Sequence, residues 1–238
     1  MLRQVEEADR RPGGLGGHED PRAGRRGRQA EARRNDRAVL DAAREVFAVH
    51  GPDASVAQVA ARAGVGMGTL YRRYPTKESL LQHLCQASMD QQVAAAEEAL
   101  ARGTDPTDSW EALAGFVREC VGFRAGVLSA VAGTIGVTEE MRETAGHAHD
   151  LLEQLVRRAR RAGTLRRDAG SVDIHELVEL FSRRPAGNAL GHERLLAVAL
   201  DGLRAPGSDA LPGPVPDWQA YVRRWSEPLL SPGPSALE

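Results

Sequence analysis

Two short stretches carry residues whose types and spacing could do chemistry. The first is Met67-Gly68-Thr69-Leu70-Tyr71-Arg72-Arg73, with Lys77 close behind. Arg72 can pair two parallel donors with the O6 and N7 edge of guanine, and the Met67 side chain and the Thr69 methyl suit the methyl group of thymine. Lys77 falls at a helix start, where free backbone N–H groups can join its ammonium around a phosphate. Base-edge readers and phosphate anchors are the two contact classes that sequence-specific DNA binding requires. The second stretch is His147-Ala148-His149-Asp150. On a helix His147 and Asp150 share a face, but His147 and His149 do not, and no third metal ligand is identifiable. It reads as a surface cluster, with metal sensing a smaller alternative. With no Ser/His/Asp nucleophile arrangement and no strand to precede a glycine-rich phosphate loop, the chain is not expected to be an enzyme. No catalytic residue, resident metal or cofactor is expected either.

The elements that must position the first group can be read from Ser55–Lys77, SVAQVAARAGVGMGTLYRRYPTK. Ser55 is suited to accept from free backbone N–H groups as a helix N-cap. Val56, Val59, Ala60 and Ala63 then recur at helical spacing. Gly64 supplies the left-handed conformation that ends a helix. A second short helix, about Gly66–Tyr74, buries Leu70 and exposes Met67, Thr69, Arg72 and Arg73. Pro75 stops it, because the residue before a proline is pushed out of helical angles. Thr76 can cap a further helix starting at Lys77. Helix, glycine turn, helix is the order that lays a helix in the DNA major groove.

The stretch resembles the DNA-binding domain of the TetR family of bacterial transcriptional regulators. The resemblance is carried by Ala63-Gly64-Val65-Gly66, Gly68-Thr69-Leu70-Tyr71 and Tyr74-Pro75-Thr76-Lys77, and upstream by Leu40-Asp41-Ala42-Ala43 with Phe47 and Gly51. Arg161-Ala162-Gly163-Thr164-Leu165-Arg166-Arg167-Asp168 is a weaker echo. The resemblance implies phosphate contacts at Ser55, Tyr71, Arg73 and Lys77, and base-facing positions at Gly66, Met67, Gly68 and Thr69, with Arg72 reaching either. Many relatives have serine where Gly66 stands and histidine where Arg73 stands. Two glycines inside one short helix would cost about 1 kcal/mol each relative to alanine. The recognition helix is therefore expected to be soft and to order fully on DNA.

Charge supports the same end of the chain. Residues 21–77 hold 11 arginines and one lysine against five acids, whereas residues 78–238 hold 16 arginines against 23 acids. A basic segment on an acidic remainder is the footprint of a polyanion partner at one end. Arg22, Arg25, Arg26, Arg28, Arg33, Arg34 and Arg37 form a basic arm able to enter the minor groove or meet phosphates. Cys85 and Cys120 are the only cysteines and make neither a zinc pattern nor a disulfide framework, so both are expected in the core. No apolar run reaches a membrane span and no secretory signal opens the chain, so a cytoplasmic protein without membrane contact is expected.

The remainder reads as helical, giving an all-α chain: an N-terminal three-helix DNA-binding domain and a C-terminal helical ligand-binding and dimerisation domain. The expected division is 1–27 a disordered basic leader, 28–76 the helix-turn-helix domain, 77–205 the effector and dimerisation domain, and 206–238 a Pro-rich tail. Helices are expected at about 31–50, 77–101, 106–125, 127–132, 139–162, 172–182 and 191–204. In the tail, Trp218, Tyr221, Val222 and Trp225 sit at i, i+3, i+4 and i+7, the pattern of a short amphipathic helix that docks on its own domain. The resemblance implies a homodimer through Leu177, Leu180, Phe181, Leu195, Leu196, Val198 and Leu200, binding double-stranded operator DNA. It also implies an effector pocket among the helices at 106–181, for an unknown small molecule. Trp110, Phe116, Phe123, Met141 and His147 are its candidate liners. The glycines at 126, 133 and 136 mark a segment able to shift.

Overall fold

The structure is a computed structural model that describes residues 21–102, 105–128, 133–183, 189–206 and 209–226. Two units are distinguished, residues 1–37 and 38–238. The first contributes the start of α1 (Pro21–His50). Of the expected leader, residues 1–20 lie outside the described residues, and Pro21–Gly27 are helical rather than irregular. The second unit holds the rest of α1, then α2 (Val56–Ala63), α3 (Met67–Arg73), α4 (Lys77–Arg102), α5 (Ser109–Gly122), α6 (Glu139–Arg161), α7 (Ser171–Ser182), α8 (Ala189–Gly202) and α9 (Trp218–Ser226). Among the described residues there is no strand, only an isolated bridge between Leu165 and Arg204.

Local signals set the helix ends. Ser55 accepts from the Gln58 backbone N–H while the Gln58 side chain accepts from Ser55 N, a reciprocal cap. Gly64 adopts φ 68°, left-handed, and closes α2. Thr76 and Ser79 exchange side-chain-to-backbone hydrogen bonds of 3.0 and 3.1 Å at the start of α4. Thr138 caps α6 by accepting from Met141 N at 3.2 Å. Two expectations shift slightly. Gly170 is the N-cap of α7, with its N–H donating to the Asp173 carboxylate, and the helix starts at Ser171 rather than at about 172. Asp105 caps a single 3-10 turn (Pro106–Asp108), so α5 starts at Ser109 rather than at about 106. The short helix expected at 127–132 is a 3-10 turn, Ala125–Leu128, and residues 129–132 lie outside the described residues.

Two apolar clusters form the core. Val39, Ala43, Phe47, Val59, Leu70, Tyr74, Leu80, Leu81 and Leu84 tie α1 through α4 together, and Val127, Ile135 and Met141 pack into the same cluster. The helix-turn-helix unit is thus completed by α4 and extends into the residues around the start of α6. The second cluster is built on α4 to α8, with Leu113, Phe116, Leu152, Leu155, Ile174, Phe181 and Leu196. Cys85 and Cys120 are both buried, and burial pushes the Cys85 thiol up to about 12, far from a reactive thiolate.

Gly126 is a close approach rather than a hinge. A Cβ there would fall on the Glu179 backbone, and Gly126 N donates to Ser182 Oγ at 3.1 Å. The turn Ala125–Leu128 is therefore pressed onto α7, against the expectation of a segment free to shift at that glycine.

Candidate DNA interface and ligand cavity

α3 turns one face inward and one outward. Leu70 and Tyr74, four residues apart, are buried, and Tyr74 lies beside His83 of α4 with ring centroids 5.2 Å apart. The helical period then forces the other side chains out. Gly66, Met67, Gly68, Thr69, Tyr71, Arg72 and Arg73 are all exposed, as are Ser55 and Lys77 on the flanking elements. The structure therefore places all nine sequence-derived contact residues on the surface, around α3. Arg72 reaches Thr69 Oγ1 at 3.4 Å, and the Arg73 guanidinium lies 5.9 Å from the Tyr74 ring centre. Gly66 is the N-cap of α3, where its carbonyl accepts from Thr69 N and Leu70 N. Glycine at an N-cap costs only a few tenths of a kcal/mol relative to Ser or Asn. Only Gly68 lies inside the helix, so α3 is firmer than two interior glycines would make it.

A cavity of about 430 Å³ lies in the second unit. α4 contributes Cys85, Ser88, Met89 and Gln92, the 3-10 turn Ala125 and Gly126, and the loop before α6 Val137. α6 adds Met141, Arg142, Ala145, Gly146 and Ala148, and α7 His175, Val178 and Glu179. The last wall is α9, with Trp218, Gln219, Tyr221 and Val222. The size lies within the roughly 300–1,000 Å³ range of small-molecule sites. Of the five liners expected from sequence, Met141 alone is in this wall. Trp110 and Phe116 are buried in the second core cluster and Phe123 packs against it. Arg204 lies over Trp110 and Arg44 over Phe123. His147 is exposed and outside the cavity wall, beside Asp90 and Val93 of α4 and Glu143 of α6. Among the described residues no group of three or more His, Cys, Asp and Glu side chains is arranged to hold a metal ion.

His149, expected beside His147 at the surface, instead turns inward. It stacks on Trp218 with centroids 3.8 Å apart and planes within 5°. His175 stacks against Trp218 at 5.0 Å and Tyr221 at 5.5 Å. Burial, and secondarily the neighbouring His149, hold the His175 pKa down at about 3, and burial also lowers His149. Both imidazoles are therefore neutral near pH 7. Ser88 Oγ and His175 Nε2 are buried without a hydrogen-bond partner in the protein. Tyr221 Oη donates to Glu179 at 3.3 Å, and Arg183 pairs with the same carboxylate.

The docked position of α9 is set upstream by the Arg166–Asp168 pair. Arg166 donates to both Asp168 oxygens, to the Gly202 carbonyl and to the Asp209 carbonyl, while Asp168 accepts from Leu211 N at 2.8 Å. Those contacts hold the Asp168 carboxyl below the usual carboxylate range. Val215 then packs directly over Gly170, where a Cβ would collide with it. The weak sequence echo at 161–168 thus includes the clamp for the chain leading into α9.

The exposed apolar residues of α7 and α8 divide the expected dimer set. Phe181, Leu196 and Leu200 are 7%, 6% and 3% exposed and belong to the protomer's own core. Leu177 packs against that core. Leu180, Leu195 and Val198 are 62%, 44% and 63% exposed, and Leu190 at the start of α8 is 82% exposed.

Comparison with known proteins agrees with this architecture. The profile described as bacterial regulatory proteins, tetR family, matches residues 39–84, and that described as transcriptional regulator SbtR-like, C-terminal domain, matches 105–205. The HTH-type transcriptional repressor LfrR of Mycolicibacterium smegmatis is 45% identical over 74 residues, 31% of this chain and 36% of that repressor. The sequence match thus spans about a third of that relative. A crystal structure of a TetR transcriptional regulator from Streptomyces coelicolor aligns with TM-score 0.50 and 31% identity, covering 72% of this chain and 99% of that one. The crystal structure of LfrR from Mycobacterium smegmatis in complex with proflavine aligns with TM-score 0.57 and 28% identity, covering 76% and 99%. With its capped α2, its outward-facing α3 and these matches along nearly the whole of a solved regulator, the chain belongs to the TetR family of bacterial regulatory proteins, DNA-binding regulators of transcription.

Proposed function

We propose that the protein is a ligand-responsive transcriptional repressor, binding operator DNA as a homodimer and released from it by a small, largely apolar molecule in the cavity. The observation that carries this reading is α4. Lys77 opens it at the DNA-facing end, and Cys85, Ser88, Met89 and Gln92 of the same helix line the cavity. At 1.5 Å per residue, Lys77 and Met89 are about 18 Å apart along one rigid rod. The loop before α6 is tied to the start of α4: Gly136 N donates to Glu78 at 2.9 Å, and Gln82 donates to the Gly136 carbonyl at 2.8 Å. Met141 belongs to the core of the DNA-binding unit and also lines the cavity. A ligand that spreads α4 from α6 therefore moves the element on which α3 rests.

The exposed Leu180, Leu195 and Val198 support a two-fold interface through α7 and α8. Such a dimer presents two α3 helices to half-sites one helical turn, roughly 34–36 Å, or a multiple apart. A ligand shifts DNA affinity only by its differential affinity for the DNA-competent and released conformers. LfrR, whose structure holds proflavine, supports a small-molecule input. No helix among the described residues is long and apolar enough to cross a membrane, which is compatible with action in the cytoplasm.

The test is a selection of genomic fragments by the purified protein, then a metabolite and drug screen by thermal shift. Hits are titrated against operator binding. A true effector stabilises the protein and lowers operator affinity, and operator lowers ligand affinity by the same factor. Failure to prefer any duplex over random DNA at moderate salt refutes the DNA-binding reading. Stabilising hits that leave operator affinity unchanged favour a regulator without small-molecule input.

A further inference from the structure

We propose that the C-terminal helix α9, beyond both matched stretches, forms the ligand-contacting wall of the cavity, and that the ligand it receives is a planar aromatic molecule with one hydrogen-bonding substituent. This rests on the reading of the cavity as the effector site and adds the chemical class of its ligand. The rings of His149, Trp218, His175 and Tyr221 lie in nearly parallel planes, every recorded interplanar angle among them being 29° or less. His149 backs one face of Trp218, while Trp218, His175 and Tyr221 line the cavity and form its aromatic wall. A flat ligand laid along it gains contact over its whole face, whereas a flexible chain meets it at a few atoms and loses rotamer freedom. Met89 and Met141 also line the cavity, with unbranched thioethers that adapt to an aromatic edge.

The polar requirement comes from the same walls. Ser88 and His175 line the cavity, and each carries a polar atom, Oγ and Nε2, that is buried without a hydrogen-bond partner in the protein. A buried polar atom without a partner is costly, so a ligand that brings one acceptor or donor relieves it. The wall is already formed, because the Arg166–Asp168 clamp and the Tyr221–Glu179 hydrogen bond hold α9 in place. Affinity therefore does not have to cover the ordering of α9.

The test uses the full-length protein and three probes: acridone, planar and uncharged; 9-aminoacridine, planar and cationic; and decanoate, flexible. Binding is measured by calorimetry without DNA, for wild type and for Trp218→Ala, Trp218→Phe and Ser88→Ala, each checked for a cooperative melt. The expected result is acridone binding to wild type, weakened about tenfold or more by Trp218→Ala and held within about threefold by Trp218→Phe. Ser88→Ala should weaken acridone, which carries a carbonyl acceptor. Stronger binding of 9-aminoacridine than acridone, lost in Glu179→Gln, would assign a cationic member of the class. Acridone affinity unchanged in Trp218→Ala, or decanoate binding as tightly as acridone, overturns the proposal. Acridone bound through Trp218 that leaves operator affinity untouched supports the aromatic site and refutes the effector reading. A flexible ligand that releases operator and ignores Trp218→Ala does the reverse.

Discussion

Replacing His175 with phenylalanine should remove an acid-sensitive part of the protein's stability. His175 is stacked against Trp218 and Tyr221, with a folded pKa near 3 against an ordinary value of 6.5. Because the folded value is the lower one, the unfolded chain takes up the proton first as pH falls. The contribution is complete above about pH 6.5 and is lost progressively between about pH 6.5 and about pH 3. For one such group the loss between about pH 7.5 and pH 5.5 is about 1.4 kcal/mol, or about 3–6 °C in melting temperature for a chain of this size. Phenylalanine keeps a ring in the stack, carries no proton, and removes the unpartnered Nε2. His175→Phe should therefore match wild type within about 1 kcal/mol near pH 8. It should also lose less stability on acidification by about the amount calculated. Urea and thermal melts of the two proteins at stepped pH and constant ionic strength read this directly. Parallel stability curves for the two proteins across that range would refute the burial argument for His175.

Three further outcomes follow from the geometry. Lys77→Ala should weaken binding to all duplexes about equally and lower the slope of log affinity against log salt by about 0.9, read by titration at several salt concentrations; a loss confined to one sequence would contradict a phosphate role. Paired glutamates at the exposed Leu195 and Val198 should give monomers of unchanged helix content, seen by light scattering and circular dichroism; a variant that stays dimeric moves the interface elsewhere. Gly126→Ala should destabilise by about 1–3 kcal/mol in urea, because the new methyl meets the Glu179 backbone, which cannot rotate away; unchanged stability would show that the turn is loosely held.

The helix-turn-helix segment of this protein was legible because its signals are local. Ser55 with Gln58, Gly64, Pro75 and Thr76 set element ends through bonds spanning a few residues, and one buried pair, Leu70 and Tyr74, orients α3. Once that pair is inward, the 3.6-residue period places Met67, Thr69, Tyr71, Arg72 and Arg73 outward with no tertiary information needed. The amphipathic spacing of Trp218, Tyr221 and Val222 likewise marked α9 as a docking helix. Periodicity says that a side chain is covered, but not by what. It could not separate Phe116, in the solid core, from Met141, on a cavity wall, or Leu196, facing its own protomer, from Leu195, facing outward. The cavity is assembled from α4, α6, α7 and α9, whose lining residues are tens of positions apart, and the inward turn of His149 exists only because α9 brings Trp218 to it. Only packing between distant helices decides such neighbours, since each helix alone is equally content with its apolar face against any other.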